Sequence, residues 1–186
     1  VSRIIVFGGT FDPVHAGHLA LAEFAQEETG APCVLLLPAA RSPLRDEAGA
    51  SFGQRVAMLR LATADTDFVV DEREGLRPAP SYTVDTLEEL HAELARPLAL
   101  LIGGDQLARF REWRNWERIL ELAELLVVNR PGWTCPPDAV PHRALSWPGM
   151  ELSASWLRQR LAAGRRCRHL LPPGVGEYIE REGCYR

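Results

Sequence analysis

Ile4-Ile5-Val6-Phe7-Gly8-Gly9-Thr10-Phe11-Asp12-Pro13-Val14-His15-Ala16-Gly17-His18 changes character twice over its length. Its first four residues are apolar without polar alternation, the pattern of a strand covered on both faces, as in a parallel sheet. Two glycines follow, and then a helical pattern over residues 17–28 with Gly30 placed as a C-terminal cap. Strand, glycine-rich turn and helix start in immediate succession open a doubly wound α/β domain. In such sheets ligands bind at the carboxyl ends of the strands, which is where this turn lies.

The same alternation continues along the chain. Short apolar runs at 33–37, 68–70, 98–102 and 125–128 read as further buried strands, with Cys33 inside the first of them. Between them lie helices. One follows Ser51-Phe52-Gly53-Gln54, whose Ser-x-x-Gln spacing is a capping box. Another covers 84–94 with Thr83 as N-cap, and a third covers 116–122 behind Asn115. The order predicts an α/β, doubly wound, Rossmann-like parallel sheet. Beyond Arg130, residues 131–141 hold four prolines and a glycine and read as a loop. A short strand at 144–147 is expected, then a helix at 154–163 capped by Ser153 and closed by Gly164. A last helix at 175–182 follows Pro172-Pro173 and closes at Gly183. The expectation is one domain over 1–186, its helical C-terminal part (about 150–186) packed on the sheet.

Composition narrows the function. With 186 residues, 46% of them hydrophobic, the chain can bury a sizeable core. A net charge of −4 argues against a nucleic-acid partner, and no apolar run approaches a membrane span. The run at 4–7 is too short for the core of a secretion signal, and the four cysteines lack zinc-site spacing. A reducing, cytoplasmic setting is expected. All 21 basic residues are arginine. Schiff-base, lysyl-adenylate and Walker A chemistry are therefore excluded, and any phosphate must be held by Arg, His, backbone N–H groups or a metal.

The residues of the first turn fit phosphate. Gly8 and Gly9 admit close approach to the backbone, and Gly17 does so at a helix start whose N–H groups favour an anion. His15 and His18, three apart, bracket that start and can face one phosphate, where a donated hydrogen bond or a positive charge offsets developing negative charge. Asp105 follows Gly103-Gly104 at a strand end, where a carboxylate accepts from ribose hydroxyls or caps the next turn. Trp113 sits in a polar stretch and can stack on a heteroaromatic ring, whereas Trp116 is expected to pack inward. Ser153, Ser155 and Arg158 gather at a second helix start suited to triphosphate oxygens. Arg165, Arg166 and Arg168 read as a solvated loop, and His91, His142 and His169 as surface or structural residues.

The His-x-Gly-His element, with Gly-Gly-x-Phe-Asp-Pro before it, resembles the nucleotidylyltransferase superfamily. More distant segments resemble the bacterial nicotinate-nucleotide adenylyltransferase family: Ser81-Tyr82-Thr83-Val84-Asp85-Thr86-Leu87, Ile102-Gly103-Gly104-Asp105-Gln106-Leu107 with Phe110 and Trp113, Arg130-Pro131-Gly132, and Leu152-Ser153-Ala154-Ser155-Trp156-Leu157-Arg158. The ending from Tyr178 to Arg186 is similar too. This resemblance implies transfer of AMP from ATP to nicotinate mononucleotide, giving nicotinate adenine dinucleotide and pyrophosphate in NAD biosynthesis. It implies catalytic roles for His15 and His18. ATP would meet Gly8, Gly9, Thr10, Phe11, His15, His18, Gly103, Asp105, Ser153, Ser155 and Arg158. The acceptor would meet Arg45, Tyr82, Thr83, Asp105, Trp113, Arg114 and Arg130. Mg²⁺ is expected with ATP, held mainly by phosphates and not by a protein-built metal site, and a homo-oligomer is compatible with the sequence. Two positions depart from the family pattern. Ala154 replaces a serine, and Leu44 stands where many relatives carry a phosphate-contacting histidine, which leaves Arg45 alone for that contact. Rival readings are a superfamily transferase using pantetheine phosphate or CTP, a non-catalytic nucleotide sensor, and a hydride-transferring Rossmann enzyme. The segment from Ser81 to Leu87 with Trp113, the histidine pair, and a first turn without Gly-x-Gly-x-x-Gly argue against them in turn.

Overall fold

A computed structural model describes residues 2–40, 48–78, 80–128, 135–136, 139–150 and 152–186. Its elements run β1 (Ile4–Gly9), α1 (Ala16–Thr29), β2 (Val34–Pro38), α2 (Phe52–Ala62), β3 (Val69–Val70), a 3-10 turn (Arg73–Leu76), α3 (Thr83–Leu94), β4 (Leu98–Gly103), α4 (Gly104–Leu107), a second 3-10 turn (Phe110–Glu112), α5 (Trp116–Leu122), β5 (Ala123–Val128), β6 (Arg143–Leu145), α6 (Ala154–Ala162) and α7 (Val175–Glu182). The strands form one sheet in the order β3-β2-β1-β4-β5-β6, and every pairing is parallel.

The period of two along each strand divides the apolar residues between two cores. Ile5 and Phe7 of β1, Val34 and Leu36 of β2, and Ala99 and Leu101 of β4 face one cluster, shared with Ala22, Ala25, Met58 and Leu59 of α1 and α2. Leu157, Val175 and Ile179 of α6 and α7 join it. Ile4 and Val6, Leu35 and Leu37, and Leu98, Leu100 and Ile102 face the other cluster, shared with Val84, Leu87 and Leu90 of α3 and Ile119 of α5. Both faces are thus covered, which is why the strand sequences do not alternate. The edges are short: β3 has two residues and β6 three, which limits the unpaired backbone offered to another chain.

The chain winds outward from β1 to β3 on one face, then crosses back through α3 to β4 and continues on the other. The connections after β1 and β4 therefore depart to opposite faces, and a crevice opens between the carboxyl ends of these neighbouring strands.

Local signals set the helix ends. Ser51 Oγ accepts from the Gln54 N–H and Gln54 Oε1 accepts from the Ser51 N–H, completing the expected capping box. Ser153 Oγ accepts from the Trp156 N–H. Gly30 and Gly183 close α1 and α7 in the left-handed region, at φ 62° and 68°. Four readings shift. Tyr82, not Thr83, is the N-cap of α3: Tyr82 is still extended at φ −116°, and Thr83 is already helical. Gly103, not Asp105, caps α4, since Asp105 lies inside its single turn. The last strand ends at Leu145 and not at Trp147, because the Trp147 N–H turns back to the Leu145 carbonyl and its ring packs on Phe24. Cys33 precedes β2 and is half-buried.

Candidate functional site

The crevice begins at Gly8 and Gly9. Space is open above Gly8, with nothing within 4 Å of where a Cβ would sit. At Gly9 a Cβ would fall 3.0 Å from the ring of Phe11, so the glycine is needed for that ring to tuck under the turn. Phe11 takes φ 49° and is buried, edge-on to Phe7 at 5.5 Å and to His18 at 5.0 Å. Its side chain serves as the floor beneath the histidine pair and does not face the crevice.

His15 is the N-cap of α1, in extended backbone, and His18 lies one turn on. The two rings stack at 3.7 Å between centroids, 20° from parallel. His18 Nδ1 accepts the His15 backbone N–H at 3.2 Å. A backbone N–H can only donate, so Nδ1 carries no proton and the neutral ring's N–H is at Nε2. His18 is thereby fixed as an Nε2 donor at the N-terminus of a fourteen-residue helix, where the dipole favours an anion. Gly17 allows the stacking, since a Cβ there would stand 3.2 Å from His15 Nδ1.

Asp12 fastens this loop to the rest of the molecule. Its buried carboxylate accepts the N–H groups of Gly49 at 2.7 Å and Ala50 at 3.0 Å, and the Tyr185 hydroxyl at 2.7 Å. Arg158 donates to the Asp12 carbonyl at 2.6 Å and pairs with its carboxylate at 3.4 Å. Burial, and then the bond to Asp12, push the Tyr185 phenol far above its ordinary range. Arg158 also donates to Ser155 Oγ at 3.3 Å. Arg158, with Ser155 against it, thus reaches the turn after β1, where it already has a structural partner, while Ser153 caps α6.

Arg55 is a site residue that sequence reasoning missed. Only 1% exposed, it donates to the carbonyls of Thr10 at 2.7 Å, Ala40 at 3.3 Å and Ala50 at 3.3 Å. Burial lowers its pKa, and the Asp12 charge acts against that fall. The available signal was an arginine on the inward stripe of α2, one turn before Leu59.

On the other face, α3 and the connection after β4 bring a second group together. The Arg114 guanidinium lies 4.7 Å from the Tyr82 ring centroid and reaches Asp85 at 3.8 Å. Trp113 is half-buried and tilted against Phe110 at 5.3 Å. Trp116 packs inward as expected, with Arg111 over its ring at 4.8 Å. Asp105 is exposed beside Gly103, whose Cβ would fall 2.5 Å from Asp105 Oδ1. Arg45 and Arg130, also expected in the site, lie outside the described residues, as does Leu44. Among the described residues, no three His, Cys, Asp or Glu side chains converge to hold a metal.

The cytidylyltransferase-like family matches residues 6–160. A protein of Chromobacterium violaceum named probable nicotinate-nucleotide adenylyltransferase is 42% identical, covering 100% of this chain and 99% of that one. A protein of the same name from Aeromonas hydrophila is 42% identical, covering 97% and 96%. Among solved structures, Plasmodium falciparum nicotinic acid mononucleotide adenylyltransferase complexed with NaAD superposes with a TM-score of 0.82 at 14% identity, over 100% of this chain and 98% of that one. The same enzyme complexed with APC gives 0.77 at 15% identity. The structural matches share the fold. The end-to-end sequence identity goes further, and places this chain in the nicotinate-nucleotide adenylyltransferase family.

Proposed function

We propose that this chain transfers AMP from ATP to nicotinate mononucleotide, forming nicotinate adenine dinucleotide and pyrophosphate in NAD biosynthesis. One observation carries the reading: a phosphate cradle built on His15 and His18 and an aromatic–arginine cluster built on Tyr82, Trp113 and Arg114 flank the carboxyl ends of β1 and β4 from opposite faces. The first suits a triphosphate and the second a pyridine carboxylate. A 5′-phosphate oxygen of the acceptor attacks the α-phosphorus in line. The bond from that phosphorus to the bridging oxygen breaks, and pyrophosphate leaves with the electron pair. No side chain becomes a nucleophile, so the chain contributes placement and charge stabilisation. His18 donates from Nε2 to the α-phosphate or the departing oxygen.

Mg²⁺ rides on the triphosphate, in keeping with its preference for phosphate and water ligands. Asp105, exposed at the crevice, receives ribose hydroxyls. Trp113 stacks on the pyridine ring. The N–H groups opening α3 and the Arg114 guanidinium receive its carboxylate. A cytoplasmic enzyme working on diffusible nucleotides accords with the absence, among the described residues, of any helix long and apolar enough to cross a membrane.

The test is pyrophosphate release from ATP with a panel of acceptors. Nicotinate mononucleotide is expected to exceed nicotinamide mononucleotide at least ~10-fold in kcat/KM, because the amide turns an NH₂ toward a donor and leaves one buried group unpaired, at about 1–3 kcal/mol. Phosphopantetheine should support no turnover. Equal use of acid and amide would overturn the pocket assignment, and release with phosphopantetheine alone would overturn the reaction.

A further inference from the structure

The ladder between β1 and β2 ends where the Ala39 N–H donates to the Gly9 carbonyl at 2.9 Å. One residue further on, the Thr10 and Ala40 carbonyls belong to chains that part. The first runs into the loop before α1, and the second leaves the end of β2. Both residues are half-buried and lie beyond the last strand pair, Gly9 with Pro38. A carbonyl withdrawn from water needs a donor, and the ladder no longer supplies one. Arg55 of α2 does. Its Nη1 donates to the Thr10 carbonyl at 2.7 Å and its Nη2 to the Ala40 carbonyl at 3.3 Å. Its Nε donates to the Ala50 carbonyl at 3.3 Å, just ahead of α2.

One planar fork thus fixes the spacing of three chain segments. A lysine would keep the charge, but its ammonium is a single point and cannot hold three carbonyls at set separations. Two of the segments are tied a second time: the Ala40 N–H donates to Ser81 Oγ at 3.2 Å, and the Ala50 N–H to the Asp12 carboxylate at 3.0 Å. The segment at Thr10 leads into the site. Thr10 stands between Gly9 and Phe11, and the Phe11 ring lies edge-on to His18 at 5.0 Å. Arg55 itself is 1% exposed and does not reach the crevice, so its effect on a ligand passes through the Thr10 backbone. Its hydrogen bonds go to none of Tyr82, Trp113 and Arg114.

We propose that Arg55 is a positioning residue for the triphosphate: its guanidinium sets the separation of the chain ends beyond β1 and β2, and so the place of the turn from Gly8 to Phe11 on which the phosphates of ATP lie. The proposal rests on the reading of this chain as a nicotinate mononucleotide adenylyltransferase. In-line transfer is sensitive to displacements of about 1 Å, and the turn that Arg55 holds is on the ATP side of the crevice. The acceptor's pyridine end is received by α3 and the connection after β4, to which Arg55 does not bond.

The test is steady-state kinetics of Arg55→Lys, which keeps the charge and removes the fork, with KM measured for each substrate separately. The expected result is a roughly tenfold or larger rise in KM for ATP, with the KM for nicotinate mononucleotide within about twofold of wild type. In Arg55→Ala the same split should be larger, and added guanidinium ion, but not ammonium, should bring the KM for ATP back toward the wild-type value. Equal rises in both KM values, unchanged kinetics, or equal recovery with the two cations overturns the proposal. Should Arg55→Lys fail to fold, the recovery of Arg55→Ala by guanidinium decides alone. Should neither variant fold, Arg55 serves the fold and not the site, and the proposal falls. Wild-type turnover with ATP and nicotinate mononucleotide, measured first, separates the two claims. An inactive wild type overturns the functional reading and this inference with it, whereas an active wild type without the split overturns the inference alone.

Discussion

The His15 N–H occupies Nδ1 of His18, which makes Nε2 the ring's N–H donor. A proton on Nδ1 would set two donors against each other, so this hydrogen bond selects the Nε2–H tautomer. We expect His18→Ala to lose roughly 100- to 1000-fold in kcat, about 3–4 kcal/mol of transition-state stabilisation, with an unchanged unfolding midpoint. Near-normal turnover would remove His18 from the chemistry. The histidines were legible as residues because their spacing around a glycine at a helix start is a local pattern. Arg55 was not. It is a charged side chain whose partners include carbonyls at distant positions, Thr10 and Ala40, and no local pattern marks such partners.

Helix ends were the most readable elements, since a cap is a contact between residues three apart. The capping box of α2 spans Ser51 to Gln54 on both sides. Ser51→Ala should therefore cost about 1 kcal/mol in urea unfolding and leave kcat unaltered. A loss well below ~0.5 kcal/mol would show that α2 is held by Val56, Met58 and Leu59 in the core and not by its cap. The start of α3 was misread by one residue for a related reason. Thr83 has the side chain of a cap, but Ser81, two residues earlier, is tied to Ala40 across 41 positions. That tertiary bond fixes where the chain turns into the helix, and propensity yields to it.

Across the whole molecule, Asp12 joins four parts of the chain that are far apart in sequence: the phosphate turn, the approach to α2 at Gly49 and Ala50, α6 through Arg158, and the C-terminal end through Tyr185. Asp12→Ala leaves the Gly49 and Ala50 N–H groups and the Tyr185 phenol without their acceptor and Arg158 without its ion-pair partner, while the bond from Arg158 to the main-chain carbonyl of residue 12 remains. It should lower stability by about 3–5 kcal/mol, the range for removing one partner of a buried charged pair. Tyr185→Phe removes one bond to a charged group and should cost less, about 1.5–3 kcal/mol. Chemical unfolding of the two variants tests the ranking, and a Tyr185→Phe loss equal to that of Asp12→Ala would make the phenol the main fastening.

The sheet, its parallel sense and the glycine-rich turn between β1 and α1 followed from the sequence alone. Strands covered on both faces must be apolar throughout, glycines must stand where a ring or ligand comes close, and caps are read three residues apart. The distance between the histidine pair and the Tyr82–Arg114 cluster was decided only by the tertiary structure. It depends on the crossing of α3 to the opposite face of the sheet, and on buried charges at Asp12 and Arg55 with partners tens of residues away. Local sequence encodes which groups can bond. Chain closure over such separations selects which of them meet.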